Sequence, residues 1–534
     1  MQHTDIVVIG GGHNGLVASA YLAKAGHRTL VVERRGGLGG AAATEEAFPG
    51  FQIDTGAGDA GLFLPEVSRE LGLEKRGLEF IEGPICALSL LPEGGALRLW
   101  GDLDATRREI EPRSLADAAH YAGFAALIKQ QASVLKSFLR LAPPKFPFSG
   151  YLEAVPEILP WMRLAIRVRR SGRRATGELL RNLPLAADAL LDDWFEDPAL
   201  KGALAAAAIP GTMQGPKASG TAFMMLYHSI AGFPRGLRTV RGGLGRLATA
   251  IADAAMEAGA EVRLGVAVEK ILVNDYRVAG VRLSTGEEIR CKAVASAADP
   301  RHTLLDLVRA PELELRVVRR VTNIRFRGCT AKVNLALERL PTFEGVRDPS
   351  HLSGRILVSP KMEYLERAYD DAKYGRWSTD PFLDMTIPSI RDSSLAPEGK
   401  HVMSVTMQYA PYELRDDNWD DQRESLGDHI INTAAQFAPD LPDLIMHRQV
   451  LTPLDYERDY GLPEGSIYHG QMALDQLFVM RPISGYGRYR SPVDGLYFCG
   501  AGAHPGGGVT GAPGRNAAQI IAKDLKNRRI RAAA

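Results

Sequence analysis

The order of elements in the first 33 residues constrains the fold more than any other feature of this 534-residue chain. Asp5–Ile9 is a short apolar, β-branched run, which is typical of a buried parallel strand. The glycine turn Gly10–Gly15 follows at once, and Leu16–Ala25 then predicts a helix. His27–Val32 predicts a second buried strand, and it is followed directly by the acidic residue Glu33. This order predicts a dinucleotide-binding α/β unit.

Each position of the motif has a physical reason. Gly10 permits the tight turn, Gly12 lets a pyrophosphate approach the backbone, and Gly15 lets the helix pack close to the strand. The pyrophosphate would lie on the free N–H groups at the helix start. Glu33 would accept hydrogen bonds from the hydroxyls of the adenosine ribose. The motif by itself does not choose between NAD and FAD.

Two further glycine turns favour FAD through a resemblance. Gly39-Gly40 lies shortly after the acid, and Phe51–Gly58 follows soon after. This pair resembles the FAD-binding half of the amine-oxidase and phytoene-desaturase flavoproteins. There, the GG turn lies near the phosphates and the later loop lies against the flavin. Many amine oxidases have arginine directly after the GG, whereas this chain has Ala41, so the resemblance favours the phytoene desaturase-like family.

The segment Asp494–Ala512 predicts a strand, a glycine-rich loop and then a helix from Val509 to about Leu525. It closely resembles the closing motif of the same family. The resemblance implies that the strand-end glycines approach the ribityl and pyrophosphate of FAD, and that the helix start points at the flavin. A helix start would stabilise the negative charge of a reduced flavin.

Residues 236–300 complete the expected nucleotide-binding part. Ala293–Pro300 resembles a strand end of the family, and Val268 matches a valine whose backbone meets the adenine. Gly242–Gly245 lacks a preceding apolar strand, so we interpret it as a helix-start turn and expect no separate NAD(P)H site. The candidate FAD-binding residues are therefore Gly10, Gly12, Asn14, Gly15, Glu33, Arg34, Gly39, Gly40, Gly56, Ala57, Val268, Gly500, Gly502, Gly508, Val509 and Thr510.

The expected fold class is α/β, with a Rossmann-type FAD-binding domain of the glutathione reductase/amine oxidase class, a mixed-sheet substrate domain and a helical cap insert. The expected division is 1–100, 236–300 and 481–534 for the FAD-binding domain, 101–235 for the helical cap, and 301–480 for the substrate domain.

His504 is the candidate catalytic residue, because it lies in the closing motif and histidine titrates near neutrality. The alternative is a loop histidine that bonds the backbone, since the cofactor can carry the redox step without a side-chain base. For His228, a core role is favoured over a pocket role, and for His469 a structural role is favoured. No His/Cys/Asp cluster has metal-ligand spacing, so no metal is expected.

The composition limits the classes of partner and the cellular compartment that we expect. The net charge of +1 argues against a nucleic-acid binder. Four scattered cysteines without a CxxC pair suit a reducing compartment, and a motif that starts at residue 5 leaves no room for a secretory signal. We therefore expect a cytoplasmic protein, and the sequence leaves its oligomeric state undetermined.

One segment suggests contact with a membrane surface. Residues 161–174 contain six arginines and no acid beside apolar residues such as Met162 and Ile166. Apolar residues next to cationic ones are what a helix on an anionic membrane needs. The alternative is a solvated helix face on the cap, which is what most charge runs are.

The resemblance implies an FAD-dependent oxidoreductase that moves hydride between the flavin and C–H or C=C bonds of a hydrophobic, polyene-like small molecule. Desaturation, saturation and isomerisation all remain open. One alternative is an amine or alcohol oxidase that passes electrons to oxygen, and a pair of aromatic residues flanking the flavin would support it. Another alternative is a flavoprotein that acts mainly through protein partners, because the chemistry of the family's animal relative is uncertain.

Overall fold

The computed structural model describes residues 4–144, 151–170 and 172–527. The strands are β1 (Ile6–Ile9), β2 (Thr29–Val32), β3 (Thr44–Phe48), β4 (Phe51–Asp54), β5 (Phe80–Glu82), β6 (Ile85–Leu90), β7 (Ala96–Trp100), β8 (Arg238–Val240), β9 (Glu261–Arg263), β10 (Val268–Asn274), β11 (Arg277–Leu283), β12 (Glu288–Arg290), β13 (Ala293–Ser296), β14 (Thr330–Leu337), β15 (Arg355–Val358), β16 (Phe382–Thr386), β17 (His401–Gln408), β18 (Ile445–Leu451) and β19 (Leu496–Phe498).

The α-helices are α1 (His13–Lys24), α2 (Pro65–Leu71), α3 (Leu103–Ile110), α4 (Leu115–Leu139), α5 (Tyr151–Arg170), α6 (Arg173–Asn182), α7 (Ala187–Asp192), α8 (Pro198–Ala205), α9 (Thr221–His228), α10 (Gly245–Glu257), α11 (Leu315–Thr322), α12 (Met362–Lys373), α13 (Trp419–Ala435), α14 (Leu441–Leu444), α15 (Pro453–Tyr460) and α16 (Ala512–Lys526). A π-helical segment covers His302–Arg309. Within the described residues, no helix combines the length and the apolar character needed to cross a bilayer.

A parallel five-stranded sheet joins the two ends of the chain. Its strand order is β19-β13-β1-β2-β9, and every neighbouring pair is parallel. The apolar runs of β1, β2 and β13 are buried along their whole length, as a parallel sheet covered on both faces requires. Helices α10 and α16 pack against α1. The expected Rossmann-type unit is present. The C-terminal segment adds the edge strand β19 to this sheet and the helix α16 beside α1.

The second large element is a mixed seven-stranded sheet with the order β18-β14-β17-β16-β15-β6-β7. The pair β15 and β6 is parallel, and the other neighbours are antiparallel. This sheet takes in Ile85–Trp100, which the sequence analysis assigns to the FAD-binding segment 1–100. It also contains β16 and β18, which the sequence analysis does not predict. One of its pairings, β15 with β6, joins residues more than 200 positions apart, and a local pattern cannot reveal it.

The expected helical insert holds α3 to α9 in the part of the chain that the structure describes. Local sequence defines several of these helices. Ser114 caps α4 by accepting a hydrogen bond from the backbone N–H of Asp117, and Asp197 caps α8 with Pro198 in its first turn. Gln408 at the end of β17 connects the sheet to the insert, because its amide donates to the carbonyls of Ile209 and Thr212. The insert and the sheet therefore enclose a space between them.

Candidate active site

One cavity collects glycine turns from both ends of the chain. It is lined by most of the candidate FAD-binding residues, namely Gly10, Gly12, Asn14, Gly15, Glu33, Arg34, Gly39, Gly40, Gly56, Ala57, Val268, Gly508 and Val509. Hydrogen bonds hold the turns together, since Gly39 N donates to Gly11 O at 2.9 Å and Ala57 N donates to Ala41 O at 2.6 Å. Val266 N donates to Glu33 O at 3.1 Å, which brings the start of β10 to the same place. The structure thus brings together segments that lie almost 500 residues apart.

Three candidate residues do not line this cavity. Gly500 and Gly502 are positions of close packing. A Cβ added at Gly500 would lie 2.2 Å from the carbonyl oxygen of Ala297, and one added at Gly502 would lie 2.3 Å from Cδ of Pro300. Ala501, between them, does line the cavity. Thr510 is fully buried, and its hydroxyl accepts a hydrogen bond from Ala512 N at 3.1 Å. These residues shape the loop instead of facing the cavity.

The closing helix begins later than the sequence predicts. Helix α16 starts at Ala512, and Gly508 and Gly511 have φ of 92° and 69°. Such left-handed conformations belong to a loop, and a glycine adopts them without strain. Val509 and Thr510 therefore lie in the loop before the helix, not in its first turn.

The nucleotide end of the cavity depends on one buried carboxylate. Glu33 is 6% exposed and follows β2. Its Oε2 accepts from Gly11 N at 2.6 Å, and its Oε1 accepts from Arg35 N at 2.8 Å. The Arg35 guanidinium lies over the ring of Tyr460, 4.8 Å from the ring centroid. The carboxylate is thus fixed beside the first glycine turn.

The residues present fit an extended FAD. The polar atoms His13 Nε2, Asn14 Oδ1 and His469 Nδ1 are buried without a hydrogen-bond partner among the described residues, and all three residues line the cavity. Helix α1 has no side-chain cap and no acid in its first turn, so its N–H groups are available to a phosphate. A Cβ on Gly12 would meet only Gly39 O, at 3.8 Å, which leaves the backbone open on the cavity side.

The structure corrects the prediction for His504. The side chain is 1% exposed and lies outside the cavity lining. Its Nε2 is 3.2 Å from Phe138 O, and its ring packs edge-on against both Phe138 and Phe478. Burial lowers its pKa to about 4, so the ring is neutral at pH 7. His504 therefore connects the closing loop to α4, and this position does not support a role in proton transfer.

His228 combines the two roles that the sequence analysis weighed. Its Nδ1 is 2.7 Å from Ala207 O, and its Nε2 is 3.1 Å from the hydroxyl of Tyr468. It also lines the cavity, as does His469. Burial lowers the pKa of each of these histidines to about 3, with nearby arginines adding to the effect. Both rings are neutral at pH 7.

The floor of the cavity beyond the nucleotide end is the polar face of the seven-stranded sheet. Lys332, Thr406 and Asp384 lie side by side across β14, β17 and β16. The intervening residues of the same strands face an apolar core on the other side. Sequence analysis missed this face, although the alternation of polar and apolar residues in Thr330–Asn334 and Ser404–Gln408 was a signal. Such alternation usually indicates a solvated face, but here Lys332 is 3% exposed.

Lys332 connects this floor to the loop that the resemblance places against the flavin. Its Nζ donates to Gly56 O at 3.0 Å and also to Asp54 O. Burial lowers its pKa to about 8, with the charge of Asp54 opposing the shift. The ammonium group is therefore largely charged at pH 7 and lies where the two ends of the cavity meet.

Buried charges also surround the part of the cavity beyond Lys332. Arg355 donates to Asp384 at 2.6 Å, to Asp59, and to Gly236 O at 3.2 Å. Burial would raise the pKa of Asp59, but Arg355 and Arg235 hold it below its usual range. We call the space bounded by Asp59, Arg235, Arg355, Asp384, Lys332 and Gln408 the chamber. A purely hydrophobic substrate does not account for these charges.

A parallel nucleotide-binding sheet, a cavity that fits FAD and an adjoining chamber on a mixed sheet define a flavoprotein oxidoreductase. The profile of the family described as flavin containing amine oxidoreductase matches residues 15–522. The chain belongs to this family, and its cofactor is FAD.

Relatives over the full length are consistent with this family. The chain is 37% identical to the pyridine nucleotide-disulfide oxidoreductase domain-containing protein 2 of Rattus norvegicus, over 98% of this chain and 94% of the relative. It is 28% identical to one of the subunits of limonene dehydrogenase from Castellaniella defragrans, over 98% and 95%. It is 25% identical to the zeta-carotene-forming phytoene desaturase of Myxococcus xanthus, over 95% and 91%. The expected resemblance to phytoene desaturases is confirmed.

The fold also matches solved structures. An oxidoreductase from Methanosarcina mazei superposes with a TM-score of 0.61 at 17% identity, over 97% of this chain and all of the other. At this identity the match shows the fold alone.

Proposed function

We propose that the protein moves a hydride between FAD and a C–H or C=C bond of a largely hydrophobic, isoprenoid-like substrate, in dehydrogenation, saturation or isomerisation. The observation that carries this proposal is the single cavity that runs from the glycine turns into the chamber, so that substrate and flavin share one enclosure. The names of two relatives, a limonene dehydrogenase and a phytoene desaturase, support the substrate class. Bound FAD supplies hydride transfer and the storage of two electrons.

The side chains of the protein would bind, orient and exclude water. The open N–H groups at the start of α1 bind phosphate, and Glu33 accepts hydrogen bonds from a ribose. Lys332 holds a positive charge against the 54–58 loop, where it stabilises negative charge in a medium that contains little water. The histidines are neutral and need not act as bases.

One observation favours this chemistry over amine oxidation. An ammonium substrate would be bound best by a carboxylate without a cationic partner, but Asp59 and Asp384 are both paired with Arg355. Of their four carboxylate oxygens, Asp384 Oδ1 is the one without a hydrogen-bond partner among the described residues.

The test is anaerobic reduction of the purified yellow holoprotein, followed by the flavin absorbance. We expect isoprenoid compounds, among them hydrocarbons and chains with one polar end group, to bleach the flavin, while aliphatic amines and NAD(P)H do not. Bleaching by amines alone would show an amine oxidase. If hydrocarbons, alcohols, amines and NAD(P)H all fail, the interpretation as a flavoprotein acting through protein partners replaces ours.

We also propose that the exposed face of α5 contacts an anionic membrane. Leu159, Met162 and Ile166 are 40%, 52% and 47% exposed at helical spacing, and the exposed Arg163 and Arg167 lie beside them. Residue 171, which interrupts the segment 161–174, lies outside the described residues. Sedimentation with vesicles that contain anionic lipid should exceed that with neutral vesicles, and Met162→Ser/Ile166→Ser should remove the difference. Equal sedimentation with both vesicle types would show that the face is simply solvated.

A further inference from the structure

Arg235 is a buried cation of the chamber that has no hydrogen-bond partner among the described residues. Its guanidinium lines the cavity, and its side chain is 16% exposed. Its nearest acceptors are Asp59 and Asp384, whose Oδ2 atoms lie at 3.7 and 3.9 Å, beyond hydrogen-bond distance. Those carboxylates are already bonded to Arg355. In the described part of the chain, the five N–H donors of Arg235 therefore have no acceptor.

Two other buried arginines differ from Arg235 in this respect. Arg481 is 2% exposed and donates to several backbone carbonyls, including Tyr468 O at 2.5 Å and Ala501 O at 2.8 Å. Arg355 is 6% exposed and has two carboxylates and a carbonyl. The fold satisfies these guanidinium groups by itself, whereas it leaves Arg235 pointing into an open chamber.

A guanidinium whose donors have no protein acceptor depends on the water or ligand that occupies the chamber. Burial, and then the charge of Arg355, lower the pKa of Arg235 from its ordinary value. A planar guanidinium presents paired donors that match the two oxygens of a carboxylate. An anionic ligand group would therefore supply what the fold does not.

The other charges of the chamber permit an anion. Arg355 offsets the two aspartates together with Arg235, and Lys332 adds a further cation on β14 of the same sheet. The remaining acid, Asp54, accepts from Thr44 Oγ1 and Leu244 N, and burial raises its pKa. An incoming carboxylate would thus face Arg235 in a chamber where Arg355 pairs with both aspartates, and Asp384 Oδ1 is the oxygen of those two carboxylates that has no partner among the described residues.

We propose that Arg235 binds a carboxylate-type group on the substrate and so fixes the substrate's direction in the chamber. The inference rests on the proposed function and makes it more specific, because the substrate becomes a hydrophobic chain that ends in an anionic group. Arg235 is a specificity-determining residue in this scheme.

The test uses three probes that share one chain and differ in the head group, which are decanoate, decan-1-ol and decylamine. Binding to the oxidised holoprotein is measured by calorimetry or by the change in the flavin spectrum, without turnover. We expect decanoate to bind about tenfold more tightly than decan-1-ol, as a charge-assisted hydrogen bond implies. In Arg235→Gln the two should bind within about twofold of each other.

Arg238→Gln is the matched control, because Arg238 is in the same segment but lies outside the cavity, against Glu82 and the Phe80 ring. It should keep the preference. If Arg235→Gln does not retain FAD, Arg235→Lys takes its place, and at least about threefold of the preference should be lost because an ammonium group cannot form the paired bonds.

Equal binding of decanoate and decan-1-ol to the unaltered protein would overturn the proposal. So would no binding of decanoate, tighter binding of decylamine, or a full preference in both Arg235 variants. The measurement is independent of turnover, so a decanoate preference without flavin reduction by any hydrocarbon would reject the proposed reaction and keep the anion site. Flavin reduction by hydrocarbons without a decanoate preference would do the reverse.

Discussion

The two ends of the cavity are built from different parts of the polypeptide. At the nucleotide end, main-chain N–H groups and glycines without side chains form the surface, as at Gly12 and Gly39. In the chamber, side chains on different strands and segments form it, among them Arg235, Lys332 and Asp384. The backbone can bind FAD because the cofactor is always the same molecule. The side chains of the chamber, in contrast, can differ for each substrate. The cofactor could therefore be inferred from short motifs, and the substrate could not.

The largest expected effect is complete loss of FAD from Gly12→Glu. The residue has φ of −70°, and a Cβ there meets only Gly39 O at 3.8 Å, so the change should not disturb the fold. A carboxylate at this point would repel the phosphates that the start of α1 binds. The purified protein should be colourless, with the circular dichroism of the folded protein.

Gly36→Glu is the control for this variant, because an added Cβ there has open space and Gly36 does not line the cavity. It should stay yellow. Stoichiometric FAD in Gly12→Glu would show that the phosphates lie elsewhere, and the account of the backbone-built end would be wrong.

The next largest effect concerns the chamber, and it is a loss of stability. Arg355→Met leaves Asp59 and Asp384 with the distant Arg235 as their remaining paired cation among the described residues, and removing one partner of a buried ion pair costs about 3–5 kcal/mol. Urea unfolding of the holoprotein measures the change. Adding Asp384→Asn should restore part of the loss, since one uncompensated charge is then removed.

Arg241→Met is the matched control, because its pair with Glu79 is half exposed. We expect no resolvable change in the unfolding midpoint, because solvent screens an exposed pair. Equal losses in both variants would mean that the chamber's charges contribute no more than a surface pair, and the contrast between the two ends would lose its energetic basis.

A third prediction uses the pKa of Lys332, which is about 8 in the folded protein and 10.5 for an ordinary lysine. Between these values the unfolded chain binds one more proton than the folded chain, so the free energy of unfolding rises with pH. The rise should be about 3 kcal/mol from pH 8 to pH 10.5 in the FAD-free protein. Lys332→Met should lack this contribution. Parallel pH profiles for the two proteins would show that Lys332 is not desolvated.

The contrast between the ends also explains what the sequence could predict. Residues 5–33 contain a whole binding unit within one short segment, so its two strands, turn and helix were predicted, although the helix begins at His13, three residues before the predicted start. The closing loop was placed in the same cavity, but its helix start was placed three residues early, because Gly508 and Gly511 adopt left-handed conformations.

The chamber could not be predicted in the same way. Lys332, Asp384 and Arg235 meet only through strand register and through the packing of the segment before β8, and neither is written locally in the chain. A lysine in an alternating strand is usually exposed, so its burial was not foreseen. His504 illustrates the opposite error, because proximity in sequence to a cofactor motif did not place its side chain in the cavity.

The smallest expected effect tests the one acidic side chain on which we expect the nucleotide end to depend. In Glu33→Gln the amide can still accept from Gly11 N, but its NH2 group would face the N–H of Arg35, and hydrogen bonds to a ribose would lose their charge assistance. FAD should bind about tenfold more weakly, as measured by titration of the FAD-free protein. Glu46→Gln, a carboxylate outside the cavity, should leave the affinity unchanged. A loss as complete as that of Gly12→Glu would show that a side chain, not the backbone, dominates this end, and the distinction between the two ends would fail.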